Sequence, residues 1–210
     1  MKKLIVVVFL LLFANATLAE QVHTRVSEIE SVWMQVDATE KDATRTHSFL
    51  QLVNDVTHVV LDFPKHAEPL ILKSTILLTM AQDASNFAAL GLVNQAKDLL
   101  QKAVGINPEA SEGSALVTLG VLYYKVPAWP IAFGDNDKAE EYLLAALKVN
   151  PIGIDSNYYY AEFLLEQGDK NKALAYLNKA IAVKIDPNDH EKRIKLKEQA
   201  KARAALERLS

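Results

Sequence analysis

Two groups of side chains have the types and spacing to do chemistry. The first lies in the segment from Val126 to Gly134, which holds Pro127, Trp129, Pro130 and Phe133. Trp and Phe present large contact area with few rotors, and two prolines cut the entropy a loop loses on binding. The second is Tyr124, Lys125, Tyr158 and Glu162, which offers ring faces and one charge of each sign. Both groups describe recognition rather than bond-making. Packing is the alternative for each. Trp129 also reads as a plug between neighbouring helices, and each tyrosine as a half-buried core residue with a wet hydroxyl.

No motif in the sequence is arranged for catalysis, and the chain is expected not to be an enzyme. The five histidines have no metal-ligand spacing: His58 stands one turn from Asp62, and His66 lies near Glu68. Asp135-Asn136-Asp137 resembles the start of a calcium loop, but the later ligands are missing and the position calls for a turn and a helix cap. There is no glycine-rich phosphate loop and no serine in a Gly-x-Ser-x-Gly elbow. No metal and no cofactor is expected.

The elements that must position these residues are helical. The chain has 210 residues, half of them hydrophobic, with only seven glycines and seven prolines. Residues 1–19 are set apart. Lys2 and Lys3 precede an apolar run from Leu4 to Phe13, and small residues at Ala14 to Ala16 and Thr17 to Ala19 suit cleavage. This pattern predicts a secretory signal peptide, cut after Ala19 or Ala16, because a membrane span needs roughly 18–20 apolar residues. There is no cysteine, so no disulfide and no lipid anchor behind the signal. The whole chain carries 23 basic and 26 acidic residues; without Lys2 and Lys3 the balance is 21 to 26. A mildly acidic surface excludes nucleic acid and anionic membrane as main partners. The expected location is the periplasm, with no membrane span after cleavage.

A phrase then recurs three times. It reads Ala96, Leu100, Ala103, Pro108; then Ala139, Leu143, Ala146, Pro151; then Ala173, Leu177, Ala180 and, two residues late, Pro187. Gly91, Gly134 and Gly168 open the copies. Self-similarity at fixed offsets predicts an all-α array of helical hairpins. A stripe of Val22, Val26, Ile29, Trp33 and Val36 predicts an N-terminal helix. A second helix is expected from a Thr44 cap to Asp62, before Phe63-Pro64. The expected organisation is a helical pair over 20–66, hairpins over 67–187 and a charged capping helix over 188–210. The first hairpin is expected to hold an over-long first helix or an extra loop around Ser85 to Gly91. Small residues at Ala84, Gly120 and Ala161 should meet Ala96, Ala139 and Ala173 where helices cross most closely.

These offsets resemble the tetratricopeptide repeat. The segment from Asn157 through Gly168-Asp169, Ala173, Leu177 and Ala180 resembles it best, and the copy ending at Pro151 resembles one with an insertion. The resemblance implies a right-handed superhelix of stacked hairpins whose groove binds a protein partner. It also implies that Tyr124, Lys125, Tyr158 and Glu162 fall at groove-facing offsets. A repeat of this kind has seven residues between its two glycines, whereas Gly120 to Gly134 spans fourteen; the loop at 125–134 is the extra length, expected to wall the groove. The string from Val126 to Asp135, running on through Asn150 to Tyr158, is similar to the TatT-like T-components of tripartite ATP-independent periplasmic transporters. That similarity implies a periplasmic solute-binding protein as partner and a small apolar organic ligand. The missing lipoprotein cysteine departs from it.

Overall fold

The computed structural model describes the backbone of residues 2–188 and 192–209, and the side chains of 17–188, Asn86 excepted, and 192–209. The fold is all-α, and no β-strand occurs among the described residues. The chain divides into two compact units, residues 1–106 and 107–210. The division falls inside the 67–187 segment.

The first unit holds α1 (Lys2–Asp37), α2 (Ala43–Asp62), α3 (Glu68–Ala81) and α4 (Asn86–Ile106). The expected stripe on α1 is the face that packs. Val22 is buried, and Val26, Ile29, Trp33 and Val36 lie against Phe49, Leu52 and Val56 of α2 and Leu72 and Ile76 of α3. The second helix begins one residue earlier than Thr44: extended Asp42 is the cap, accepting the Arg45 N–H at 2.7 Å. Arg45 is itself a buried staple. It pairs with Asp83 in the turn after α3 and with Asp37 at the end of α1 (3.1 Å), and its guanidinium lies over the Phe49 ring at 5.0 Å. A charge this enclosed is tolerated only because its donors are engaged.

The hairpin of α3 and α4 differs from expectation. Its extra length lies in the second helix, so Gly91 sits inside α4 rather than at its opening turn. Ala84 falls in the connection between helices. The small residue at the crossing is Ser74, fully buried, whose hydroxyl bonds to the carbonyl of Leu70 at 2.7 Å and reaches that of Ala96 at 3.3 Å. A hydroxyl satisfied by its own helix passes as a small residue in a tight contact.

The second unit holds a short 3-10 turn (Ala110–Gly113), α5 (Ser114–Lys125), α6 (Asn136–Val149), α7 (Ile154–Glu166), α8 (Lys170–Ala182) and α9 (Lys192–Glu207). Asp135 caps α6 by accepting the N–H groups of Asp137 and Lys138, and Asp169 caps α8 through Lys172. Gly168, at φ +83°, makes the left-handed turn between α7 and α8. The ladder residues Ala139, Leu143, Ala146, Ala173, Leu177 and Ala180 are all fully buried. Of the expected 188–210 capping helix, residues 189–191 and 210 lie outside the described residues. That helix docks by means its composition hides. Ala202 and Ala205 are buried, and the Gln199 amide donates to the carbonyls of Ala180, Ile181 and Val183 at 3.3, 3.0 and 2.8 Å. One side chain thereby satisfies the open carbonyl end of α8. Among the described residues, no helix is long and apolar enough to cross a membrane.

Gly120 gives the sharpest measure of the packing. A Cβ placed there would lie 2.5 Å from Leu143 Cγ and 3.2 Å from the Ala139 carbonyl. The Gly120→Ala variant should therefore lose about 1–3 kcal/mol, despite the better helix propensity of alanine. A Cβ placed at Gly91 would meet nothing within 4 Å among the described residues, so Gly91→Ala should gain up to about 1 kcal/mol. Opposite shifts of the urea midpoint for the two variants are the expected result.

Candidate functional site

The candidate residues separate into two sets. The first set spans α5 and α7. Tyr124 stands on the last turn of α5, and its ring meets Phe163 of α7 edge-on at 5.7 Å. Its hydroxyl is buried and has no hydrogen-bond partner among the described residues. Lys125, next along, places its ammonium 4.8 Å from the centre of the Tyr124 ring and pairs with Glu166 of α7. Tyr158, Glu162 and Glu166 recur one turn apart on α7, which sets them in a single stripe. Arg208, beyond the end of α9, has its guanidinium 4.0 Å from Glu162. Glu162, Leu165 and Glu166 then form one wall, and Ala205 and Arg208 the other, of a shallow cleft of about 320 Å³.

The tyrosines lie at different depths. Tyr158 is only 7% exposed and Tyr160 only 6%, whereas Tyr159 is half-buried, with the Lys201 ammonium 5.9 Å from its ring centre. Tyr160 donates to Glu140 Oε1 at 3.1 Å. Burial holds all four phenols of this region neutral. It raises Tyr124 far above the ordinary phenol range, helped by the charges of Glu166 and Glu162. Tyr159 is raised as strongly by burial, then by Glu198 and Asp155. Tyr158 is pushed up to about 12 by burial and then by Glu162 and Glu198. Tyr160 also reaches about 12, by burial and its bond to Glu140. A low dielectric disfavours a phenolate, and neighbouring carboxylates repel it.

The second set is the 126–134 loop between α5 and α6. Its base is tightly closed. The Gly134 N–H donates to the Pro127 carbonyl at 2.9 Å, and the Asp135 N–H to the Tyr123 carbonyl at 2.8 Å. A Cβ at Gly134 would stand 2.0 Å from the Val126 carbonyl oxygen, which only glycine allows. Phe133 packs edge-on against Tyr123 at 5.4 Å, and Tyr123 stacks on Tyr142 of α6 at 5.6 Å. Phe133 thus helps to hold the loop. Trp129 and Ile131 are 85% and 72% exposed, and the Trp129–Pro130 peptide is cis. Trp129 plugs no gap between hairpins.

Glu166, Leu165 and Arg208 are cleft residues that sequence reasoning missed. Glu166 had a signal, since it continues the Tyr158–Glu162 spacing by one turn. Arg208 had none, because its position follows from how α9 docks. His58 gains nothing from its neighbour, as Asp62 pairs with Arg25 at 2.5 Å. The face can accept hydrogen bonds through the carboxylates of Glu162 and Glu166 and donate them from Lys125 and Arg208, whereas the Tyr124 hydroxyl is enclosed. Those are the operations of binding.

The last hairpin decides the family of the repeat. Residues 154–189 match the family model for the tetratricopeptide repeat. Among solved structures, the chain is similar to a thermophilic TPR protein of Thermus thermophilus, at 20% identity and a TM-score of 0.54, covering 92% of this chain and 96% of that one. A likeness at this identity shows the fold alone, and the fold is that of tetratricopeptide proteins. Two structures of MamA are more distant, each 18% identical with a TM-score of 0.36; they cover 78% and 77% of this chain and 99% and 100% of theirs. No curated protein matches the chain. Within the repeat, Tyr158 and Glu162 belong to the first helix, α7, and the ladder Ala173, Leu177 and Ala180 to the second, α8.

The neutral tyrosines predict a stability limit at high pH. A phenol whose folded pKa lies above its unfolded value of 10 contributes stability that is complete below pH 10 and is lost as pH rises through the folded value. For Tyr158 and Tyr160 that window runs from 10 to about 12. Stability should fall across it, and Tyr124 and Tyr159 should ionise only as the fold is lost. Ultraviolet titration of tyrosinate beside far-UV dichroism tests this, with a late ionisation step coincident with helix loss expected.

Proposed function

We propose that this chain is a non-enzymatic scaffold, exported to the periplasm, that binds a protein partner on the α5–α7–α9 face of its second unit. The observation that carries the reading is the cleft of about 320 Å³ walled by Glu162, Leu165 and Glu166 of α7 on one side and by Ala205 and Arg208 on the other. The ion pairs beside it leave Lys125 48%, Glu166 41% and Arg208 71% exposed. Pairs so wetted contribute little to stability and exchange readily for a partner's groups.

Export is supported by the sequence pattern of residues 1–19 and by where packing begins. Residues 17–20 are exposed, and the first buried residue among those described is Val22. Cleavage after Ala19 leaves the packed stripe of α1 whole. N-terminal sequencing of the protein recovered from cells should start at Glu20; a start at Met1 contradicts export by cleavage.

The similarity of the 126–158 stretch to transporter T-components favours a second reading, in which the partner is a periplasmic solute-binding protein and a small apolar ligand passes between them. Glu162, Glu166, Lys170 and Arg208 give the cleft a charged rim unsuited to that ligand, so this reading places the ligand elsewhere.

Photo-crosslinking in living cells tests the scaffold. A photoreactive residue at Glu166 should capture one discrete protein, and Lys125→Glu should reduce that product at least tenfold, about 1.4 kcal/mol of binding. The same probe at Glu141, on the exposed side of α6, should capture none. Equal products from both positions would remove the α5–α7–α9 face from consideration. Capture of a solute-binding protein would select the transporter reading.

A further inference from the structure

The two walls of the cleft are not held in the same way. We propose that α9 is a conditional wall, latched by the Gln199 amide, and that its docking is coupled to partner binding. The coupling rests on the binding face proposed above; the weak docking of α9 does not.

Every other α-helix of the second unit buries at least one leucine: Leu119 in α5, Leu143 in α6, Leu164 in α7 and Leu177 in α8. Among the described residues of α9 no leucine is buried. Its buried apolar residues are Ala202 and Ala205, and Ile194 and Leu206 are only half-buried. Hydrophobic attachment scales with the apolar area removed from water, and two alanines remove little.

Polar contacts take over. Gln199 is buried, and its Nε2 donates to the carbonyls of Ala180, Ile181 and Val183 at 3.3, 3.0 and 2.8 Å. Its Oε1 accepts from Arg203 at 2.9 Å, which fixes the amide with its N–H groups toward α8. Water can serve those carbonyls when α9 is away, so the net gain from the latch is modest. The other ties are weaker. Lys195 reaches Glu112 only at 3.9 Å and Arg208 reaches Glu162 only at 4.0 Å, across solvent-exposed partners. Glu198 is buried with one oxygen on Lys201 of its own helix and the other without a hydrogen-bond partner among the described residues. A half-met buried carboxylate opposes docking. No residue from Ile181 to Asn188 is buried, so that stretch adds no anchor.

An element with few buried apolar contacts opens at lower free energy than its neighbours. Ala205 and Arg208 leave the cleft whenever α9 undocks. A partner that touches both walls binds the docked form alone and draws the equilibrium toward it. Gln199 is then a positioning residue: it is not a wall of the cleft, yet it sets whether the second wall is present.

Hydrogen exchange of the full chain, resolved by peptide mass spectrometry, reads the docking without a partner. Amides of α9 should exchange at least about a hundredfold faster than those of α7 and α8. Gln199→Ala should speed α9 further and leave α7 unchanged, and Lys197→Ala, at an exposed position of the same helix, should change neither. The coupling is read in cells with the photoreactive residue at Glu166. Gln199→Ala should reduce its crosslinked product about fivefold or more, while Lys197→Ala leaves the product as it is. Exchange in α9 as slow as in α7 overturns the weak docking. Faster exchange in Gln199→Ala with an undiminished product overturns the coupling. Absence of product from the native protein removes the binding face and the coupling with it, and exchange still decides how α9 is held.

Discussion

Close approach of paired helices at small residues is the constraint on which the rest of each unit depends. In α5 and α6 the contact of Gly120 with Leu143 and the Ala139 carbonyl leaves no room for one methyl group. In α3 and α4 the same part is played by Ser74 against Ala96, and in α7 and α8 Ala161 and Ala173 are both fully buried. Helices drawn this close interdigitate their larger side chains above and below the crossing, which is why Leu100, Leu143 and Leu177 are the most enclosed leucines of their helices. With the hairpins fixed, the outward residues of their first helices are fixed as well. Tyr124, Tyr158 and Glu162 owe their positions to contacts on the opposite side of the same helices.

The two candidate surfaces show how rigidity and exposure combine. On the tyrosine face, the rings pack and enclose the Tyr124 hydroxyl while Lys125, Glu166 and Arg208 stay exposed, so the face is ordered by its own contacts. On the loop, the division is along the chain. Phe133, Gly134 and Asp135 close the base against Tyr123, and Trp129 and Ile131 project from it. A loop of the same composition without the closed base would bury its tryptophan or leave it mobile. Here the side chain that is most expensive to expose is held in solvent by its neighbours.

Helix α9 and Arg45 are the parts least foreseen, and for the same reason. Both act through a polar side chain whose partners are distant in sequence. Gln199 reaches the carbonyls that end α8, and Arg45 joins the end of α1 to the turn after α3. Apolar periodicity reports which side of a helix is buried. It is silent about where a lone buried charge or amide finds its partners, since that depends on the docking of whole helices.

The sequence by itself determined the all-α class, the pairing of helices into hairpins, the ladder of buried alanines and leucines, and the existence of an inserted aromatic loop. These follow from spacings of three and four residues and from proline and glycine punctuation, all of them local. It also singled out Tyr124, Lys125, Tyr158 and Glu162 and the aromatic residues of the loop. Tertiary structure decided the rest: that Ser74 rather than Ala84 lies at the first crossing, that Tyr158 is buried and Tyr159 half-buried, that Phe133 is structural and Trp129 exposed, and that Glu166 and Arg208 complete the cleft. Each of those depends on the rotation of one helix about its axis relative to the next. Side-chain packing sets that rotation to within a fraction of a turn, and no residue encodes it alone.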